Sequence, residues 1–178
     1  HARAYERLGF VKSKMQEHEE AIEYLQKSIE IHPAFPEAYY GLAKIHMLDG
    51  NLEQAVLNLE LVIRHAIALQ AIYWKARKMK AECLVQKGEW EKAAFELSLI
   101  VKRKFKAGDP NIKSLPHGYY LYGKVLLKMQ DEDGAINWLE KAVSEAKDPE
   151  LAWVKDAHQY LAALHEPTHP GELETDKD

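Results

Sequence analysis

The chain reads as all-α: four helical hairpins stacked in series and closed by one further helix. Three observations predict this. Its 178 residues are 47% hydrophobic and 29% charged with only 9 Gly and 7 Pro, too apolar for disorder and too poor in turn formers for a many-stranded sandwich. Apolar residues recur with the helical period. The sequence also repeats: Ala21, Ala55, Ala93 and Ala135 stand 34, 38 and 42 residues apart, and each is followed one turn later by Leu25, Leu59, Leu97 or Leu139.

Breakers and periodicity predict helices at 2–14, 18–31, 36–48, 52–66, 70–87, 90–105, 117–129, 132–146 and 150–164. The first pair ends at Pro33 and the fourth at Pro149. Asp49-Gly50-Asn51 and Lys87-Gly88-Glu89 are turns too short for anything but antiparallel neighbours. No Gly or Pro interrupts Leu52 to Lys87, so the longer second interval predicts lengthened helices with a boundary near Ala68. The third interval holds GDPNIKSLPHG, a loop by its Gly108, Asp109, Pro110, Asn111 and Pro116. After Pro149 an apolar stripe of Trp153, Ala157, Tyr160, Leu161 and Leu164 marks the closing helix. Residues 165–178 read as a flexible acidic tail. The chain opens on amphipathic sequence with no cap ahead of it, so His1 reads as a cut in a longer protein or a tag remnant.

Counting back from each repeated alanine finds Leu8-Gly9, Leu42-Ala43, Lys80-Ala81 and Tyr122-Gly123, and three residues earlier Tyr5, Tyr39, Arg77 and Tyr119. Small residues at those places let helix backbones approach, and a larger side chain would cost about 1–3 kcal/mol. An aromatic, a Leu-Gly or Leu-Ala pair, a later Ala, an apolar residue one turn on and a closing Pro resemble the tetratricopeptide repeat family. The likeness covers roughly residues 2–147, and the third unit deviates most. It implies a right-handed α-α superhelix with repeats at about 2–35, 36–69, 74–107 and 116–147, capped by 150–164, within a single solenoid over 2–164.

Composition and motifs exclude several functions. A net charge of −4 argues against a chain built throughout for nucleic acid. No stretch approaches the roughly 18 apolar residues of a membrane span. A lone Cys83 demands neither an oxidising nor a reducing compartment, and mid-helix it reads as a packed thiol, so the cytoplasm is only the default. His165-Glu166-Pro167-Thr168-His169 matches the letters of a zinc-protease motif, but Pro167 would break the helix that motif needs. No other metal, cofactor or catalytic constellation appears, and the chain reads as a non-enzyme. Lys102, Arg103, Lys104, Phe105, Lys106 and Lys113 form a basic cluster better explained by a helix C-terminus entering a loop than by phosphate contact. Trp74, Trp90, Trp138 and Trp153 read as packing residues.

The resemblance places function on the concave face lined by the first helix of each unit. It implies that Arg3, Glu6, Phe10, Ser13, Lys14, Glu37, Tyr40, Lys44, Met47, Leu48, Lys75, Lys78, Glu82, Val85, Gln86, His117, Tyr120, Lys124, Leu127 and Lys128 point there. Seven are Lys or Arg and three are Glu, a lining of +4 within a chain of −4. Cations interleaved with aromatics suit a partner peptide or helix that is acidic and carries apolar anchors. Phe10, Lys14, Tyr40, Lys44, Met47, Lys75, Lys78, His117, Tyr120, Lys124 and Lys128 are the candidate groove residues. The two-carboxylate clamp by which some of these repeats hold chaperone tails is missing: Glu6, Phe10, Gly41, Lys75 and Met79 occupy its places, and only Lys75 fits. An adaptor or scaffold is the leading reading. The alternative is self-association through exposed ends of the stack.

Overall fold

The computed structural model describes residues 1–165. It contains α1 (Ala2–Lys14), α2 (His18–Ile31), α3 (Pro36–Leu48), α4 (Leu52–His65), α5 (Ala71–Lys87), α6 (Trp90–Val101), α7 (Leu115–Lys128), α8 (Glu132–Glu145) and α9 (Ala152–His165), with a 3-10 turn at Pro110–Ser114. No strand occurs among the described residues. Every α-helix packs on its neighbour in the chain, and α1, α3, α5, α7 and α9 also touch one another in series. Among the described residues α2, α4, α6 and α8 do not meet each other. The odd-numbered helices therefore lie on the tighter, inner side of a curved stack, and the even-numbered ones splay along the outside.

The repeated small residues make this stacking close. Ala21, Ala55, Ala93 and Ala135 are fully buried, and Leu25, Leu59, Leu97 and Leu139 fill the space beside them. A Cβ added at Gly9 would stand 2.7 Å from Leu25 Cγ and 3.0 Å from the Ala21 carbonyl oxygen. At Gly123 it would meet Leu139 Cγ at 2.8 Å and the Ala135 carbonyl at 3.1 Å. All four distances fall inside van der Waals contact, so no side chain fits unless its neighbours give way.

The third hairpin deviates in sequence because it solves the same contact with different chemistry. Tyr5 stacks on Tyr24 at 6.2 Å in the first hairpin, and Tyr119 packs on Trp138 at 5.4 Å in the fourth. At the equivalent place Arg77 donates to Glu96 at 2.5 Å, and Lys80 bridges Glu96 at 3.0 Å and Glu60 at 3.1 Å. Glu96 is buried. Burial pulls the Lys80 ammonium down, but its hydrogen bonds to Glu96 and Glu60 outweigh this and hold it above its ordinary value.

Three boundaries differ from expectation by two residues or more: the end of α6 and the starts of α7 and α9. Helix α6 ends at Val101 and not at 105. The reason is Arg103, whose guanidinium lies 4.4 Å over the Trp74 ring and 5.4 Å over Phe105, with a bond to the Ala68 carbonyl. Phe105 in turn packs edge-on against Trp74 at 5.6 Å. These contacts need residues 103–105 to run across the α5 entrance, which a continuing helix could not do. The loop after it is partly ordered, since Asp109 accepts from the Asn111 backbone N–H and starts the 3-10 turn. That turn leads straight into α7 at Leu115, with Pro116 in the first helical turn where its missing N–H costs nothing. Near the C-terminus α9 runs Ala152–His165, and His165 Nε2 lies 3.8 Å from Glu140 Oε1. The rest of the proposed tail, with Glu166, Pro167, Thr168 and His169, lies outside the described residues.

Candidate functional site

Two cavities open on the inner face and share one wall. The first, of about 200 Å³, lies between α1 and α3, bounded by Glu6, Gly9, Phe10, Ser13, Glu37, Tyr40, Gly41 and Lys44, with Leu25 and Ile72 also lining it. It exists because the facing positions are glycines. A Cβ at Gly41 would stand 2.9 Å from Leu25 Cδ2, so Leu25 can rise to form the floor. The second cavity, of about 380 Å³, lies between α3, α5 and the 3-10 turn, lined by Tyr40, Lys75, Lys78, Met79, Glu82, Pro110, Asn111 and Ser114. Tyr40 belongs to both, and burial followed by the charge of Glu82 raises its phenol above the ordinary value. Asn111 is buried and donates to the Ala71 carbonyl at 3.2 Å, which fastens the loop to the start of α5 beside the groove.

The candidate residues fall into three groups. Phe10, Tyr40 and Lys44 surround the first cavity, and Lys14 reaches over the Phe10 ring at 5.6 Å from its centre. Tyr40, Lys75 and Lys78 surround the second. Lys75 is exposed and Lys44 half-buried, and among the described residues neither has a carboxylate within salt-bridge distance. Lys78 is matched by Glu82 at 3.0 Å. Met47 is packed with Tyr39 and Tyr40 against the core around Ala43 and Cys83.

In the fourth hairpin the inner face is occupied by α9. His117 stacks on Tyr120 at 5.8 Å and meets Trp153 edge-on at 5.7 Å. The Tyr120 hydroxyl donates to Asp156, and Lys124 bridges Tyr120 at 3.0 Å and Asp156 at 3.4 Å. Tyr120 is 5% exposed. Burial, then the charge of Lys78, pushes the His117 imidazole down to about 4, against the opposing pull of Glu82 at 3.7 Å. Lys128 stays exposed at the C-terminal turn of α7. Sequence reasoning misses Asp156, because it reads α9 only as the helix closing the stack and assigns it no groove residue. It also misses Ile72 and the loop residues Pro110, Asn111 and Ser114, which no helical register could place.

A wider depression of about 480 Å³ lies between α4, α5 and α6, but its Lys80, Lys87 and Lys92 are each paired with Glu60, Glu89 or Glu96. Its lysines are internally matched. Among the described residues no three His, Cys, Asp or Glu side chains converge on a metal-sized space, and no helix is long and apolar enough to cross a membrane.

Tetratricopeptide repeat models match residues 14–66 and 116–149. The stretch between them contains the hairpin whose aromatic contact is replaced by the Arg77–Glu96 pair. No curated protein matches the chain in sequence. Among solved structures it resembles PilF of Pseudomonas aeruginosa, at 19% identity and a TM-score of 0.70 over 92% of this chain and 67% of that one. MamA of Desulfovibrio magneticus matches at 19% identity and a TM-score of 0.70, covering 92% of each chain. Yeast Tom70 matches at 16% identity and a TM-score of 0.75 over 92% of this chain, which corresponds to 32% of Tom70. These likenesses concern the fold.

Proposed function

Since this chain belongs to the tetratricopeptide repeat family, we propose that it is an interaction module whose inner face holds a segment of a partner protein. The segment offers carboxylates to the middle of the groove and an apolar side chain to its first cavity. The observation that carries this reading is the pair of adjoining cavities around Tyr40, edged by Lys44 and Lys75, two cations with no internal partner among the described residues. An aromatic wall contributes affinity through desolvated area, and the unpaired lysines contribute attraction and orientation. The reading assigns no catalytic step to any residue.

The test is fluorescence anisotropy with a labelled peptide carrying a single Leu with Asp and Glu to one side of it. Lys44→Glu with Lys75→Glu is expected to weaken binding by about tenfold or more. Lys102→Glu with Lys104→Glu, on the exposed segment after α6, should leave it within about twofold. Equal behaviour of the two double variants, both retaining helical circular dichroism, contradicts the groove reading.

A second reading has its own support. Ala38, Leu42 and Ile45 of α3, with Phe35 just before it, are buried in the core shared with Ala21 and Leu25 of α2. One repeat earlier, Ala4, Leu8 and Val11 of α1 stand in the same register yet are exposed, and Met15 extends the stripe. This face would suit a second copy of the chain. Sedimentation over a dilution series should then show a concentration-dependent dimer that Val11→Glu abolishes; a constant monomer mass contradicts self-association.

A further inference from the structure

We infer that the cavity between α1 and α3 is a subsite for an apolar side chain carried next to a cation, so that the groove reads its partner as cation, apolar anchor, then carboxylate. This rests on the groove reading above and deepens it. The walls are Phe10 and Tyr40, the floor is Leu25, and the space of about 200 Å³ falls below the roughly 300–1,000 Å³ of a small-molecule pocket. It suits one Leu, Met or Phe side chain.

At one end of the cavity, away from Lys44, the charge has the opposite sign to the middle of the groove. Glu6 and Glu37 border the end nearest the helix N-termini, and neither is ion-paired within 4.0 Å among the described residues. Burial, then the charge of Glu37, raises the Glu6 carboxyl, with Arg7 and Arg3 only partly offsetting them. Two carboxylates sharing one apolar opening repel each other, and a guest ammonium or guanidinium relieves that repulsion. An acidic residue at the same place would instead add a third negative charge.

Across Tyr40 the sign reverses at Lys75, on the next inner helix. Adjacent packed helices lie about 8–10 Å apart, and an extended peptide advances about 3.3 Å per residue. The carboxylate therefore belongs about three residues from the anchor, on the side away from the cation. The expected pattern is Arg or Lys, then Leu, then two residues, then Asp or Glu, in either chain direction.

The experiment uses the chain as it stands and labelled peptides with an Arg-Leu-Gly-Ser-Glu-Glu core, its reversal, and versions with Arg→Glu, Leu→Ala or both Glu→Lys. One direction of the parent core should bind, and Arg→Glu or Leu→Ala in the peptide should each weaken it by about tenfold. On the Glu6→Lys/Glu37→Lys protein the order of the Arg and Glu peptides should reverse, which misfolding cannot produce. If that variant loses its helical signal, Glu6→Gln/Glu37→Gln should erase the discrimination instead. An Arg→Glu peptide that binds wild type as well as the parent overturns the subsite, while weakening by Glu→Lys alone leaves the groove reading intact. Failure of every peptide to bind overturns both.

Discussion

Glu96→Ala would remove the carboxylate at the centre of the third hairpin's ion network. The Glu96 side chain is 5% exposed, and its partners Arg77 and Lys80 are 14% and 16% exposed. Removing one member of a buried pair typically costs about 3–5 kcal/mol, because the opposite charge is left without compensation. Here Lys80 keeps Glu60 at 3.1 Å and Arg77 keeps the Tyr73 hydroxyl at 2.6 Å, so the loss should sit near the lower end, about 3 kcal/mol. The fourth hairpin supplies the counter-experiment, with Tyr119, Tyr122 and Trp138 at the equivalent places. Arg77→Tyr, Lys80→Tyr and Glu96→Trp together replace charge by aromatic packing. Such exchanges are commonly neutral or stabilising by about 1–4 kcal/mol. The assay is urea unfolding followed by far-ultraviolet circular dichroism, with the slope compared between variants. A loss below about 1 kcal/mol for Glu96→Ala would refute the argument that these charges depend on one another. So would a triple variant as unstable as the single one.

Other outcomes follow from the same packing. Gly123→Ala should gain about 0.5–1 kcal/mol of helix propensity but lose about 1–3 kcal/mol to overpacking against Leu139 and the Ala135 carbonyl, so urea unfolding should show net destabilisation. The Cys83 thiol is fully buried and pushed by burial up to about 11; a thiol reagent at mildly alkaline pH should label it only in denaturant, and rapid labelling of the native chain would contradict the packing. His117 is held down to about 4 in the fold against an unfolded value of 6.5, so its neutral form stabilises above pH 6.5 and that contribution is lost as pH falls through 6.5 towards 4. With the side chain 31% exposed, solvent screening reduces the loss to about 1–2 kcal/mol. His117→Gln should show a smaller fall in melting temperature between pH 7 and pH 4.5 than wild type.

Much of this architecture was legible because its determinants are local and repeated. Ala21, Ala55, Ala93 and Ala135 set the register, and the structure shows why only small residues serve there. Both Gly-containing turns lie where the breakers placed them. The end of α6 was not legible, because its cause is Arg103 reaching Trp74 and Ala68, residues nearly thirty or more positions away. Arg77 looked like a departure from the pattern until Glu96 was seen opposite it, a pairing that helical period alone does not reveal. In the groove, the family register placed Phe10, Tyr40, Lys44, Lys75 and Lys78 on one face, yet it gave only the net charge of that face and not which carboxylate meets Lys78 or Lys124. Glu82 and Asp156 neutralise them, and Asp156 comes from a helix whose inner edge the register did not assign.

The central claim, that the inner face holds a partner segment, is tested most directly by photocrosslinking from its shared wall. A benzophenone side chain placed at Tyr40, or as a control at Phe95 on the outer helix α6, is irradiated with the labelled Arg-Leu-Gly-Ser-Glu-Glu peptide and its reversal. Crosslinking at position 40, competed away by unlabelled peptide, with none at position 95, is the expected result. Equal labelling at both positions, or labelling at 95 alone, would contradict it.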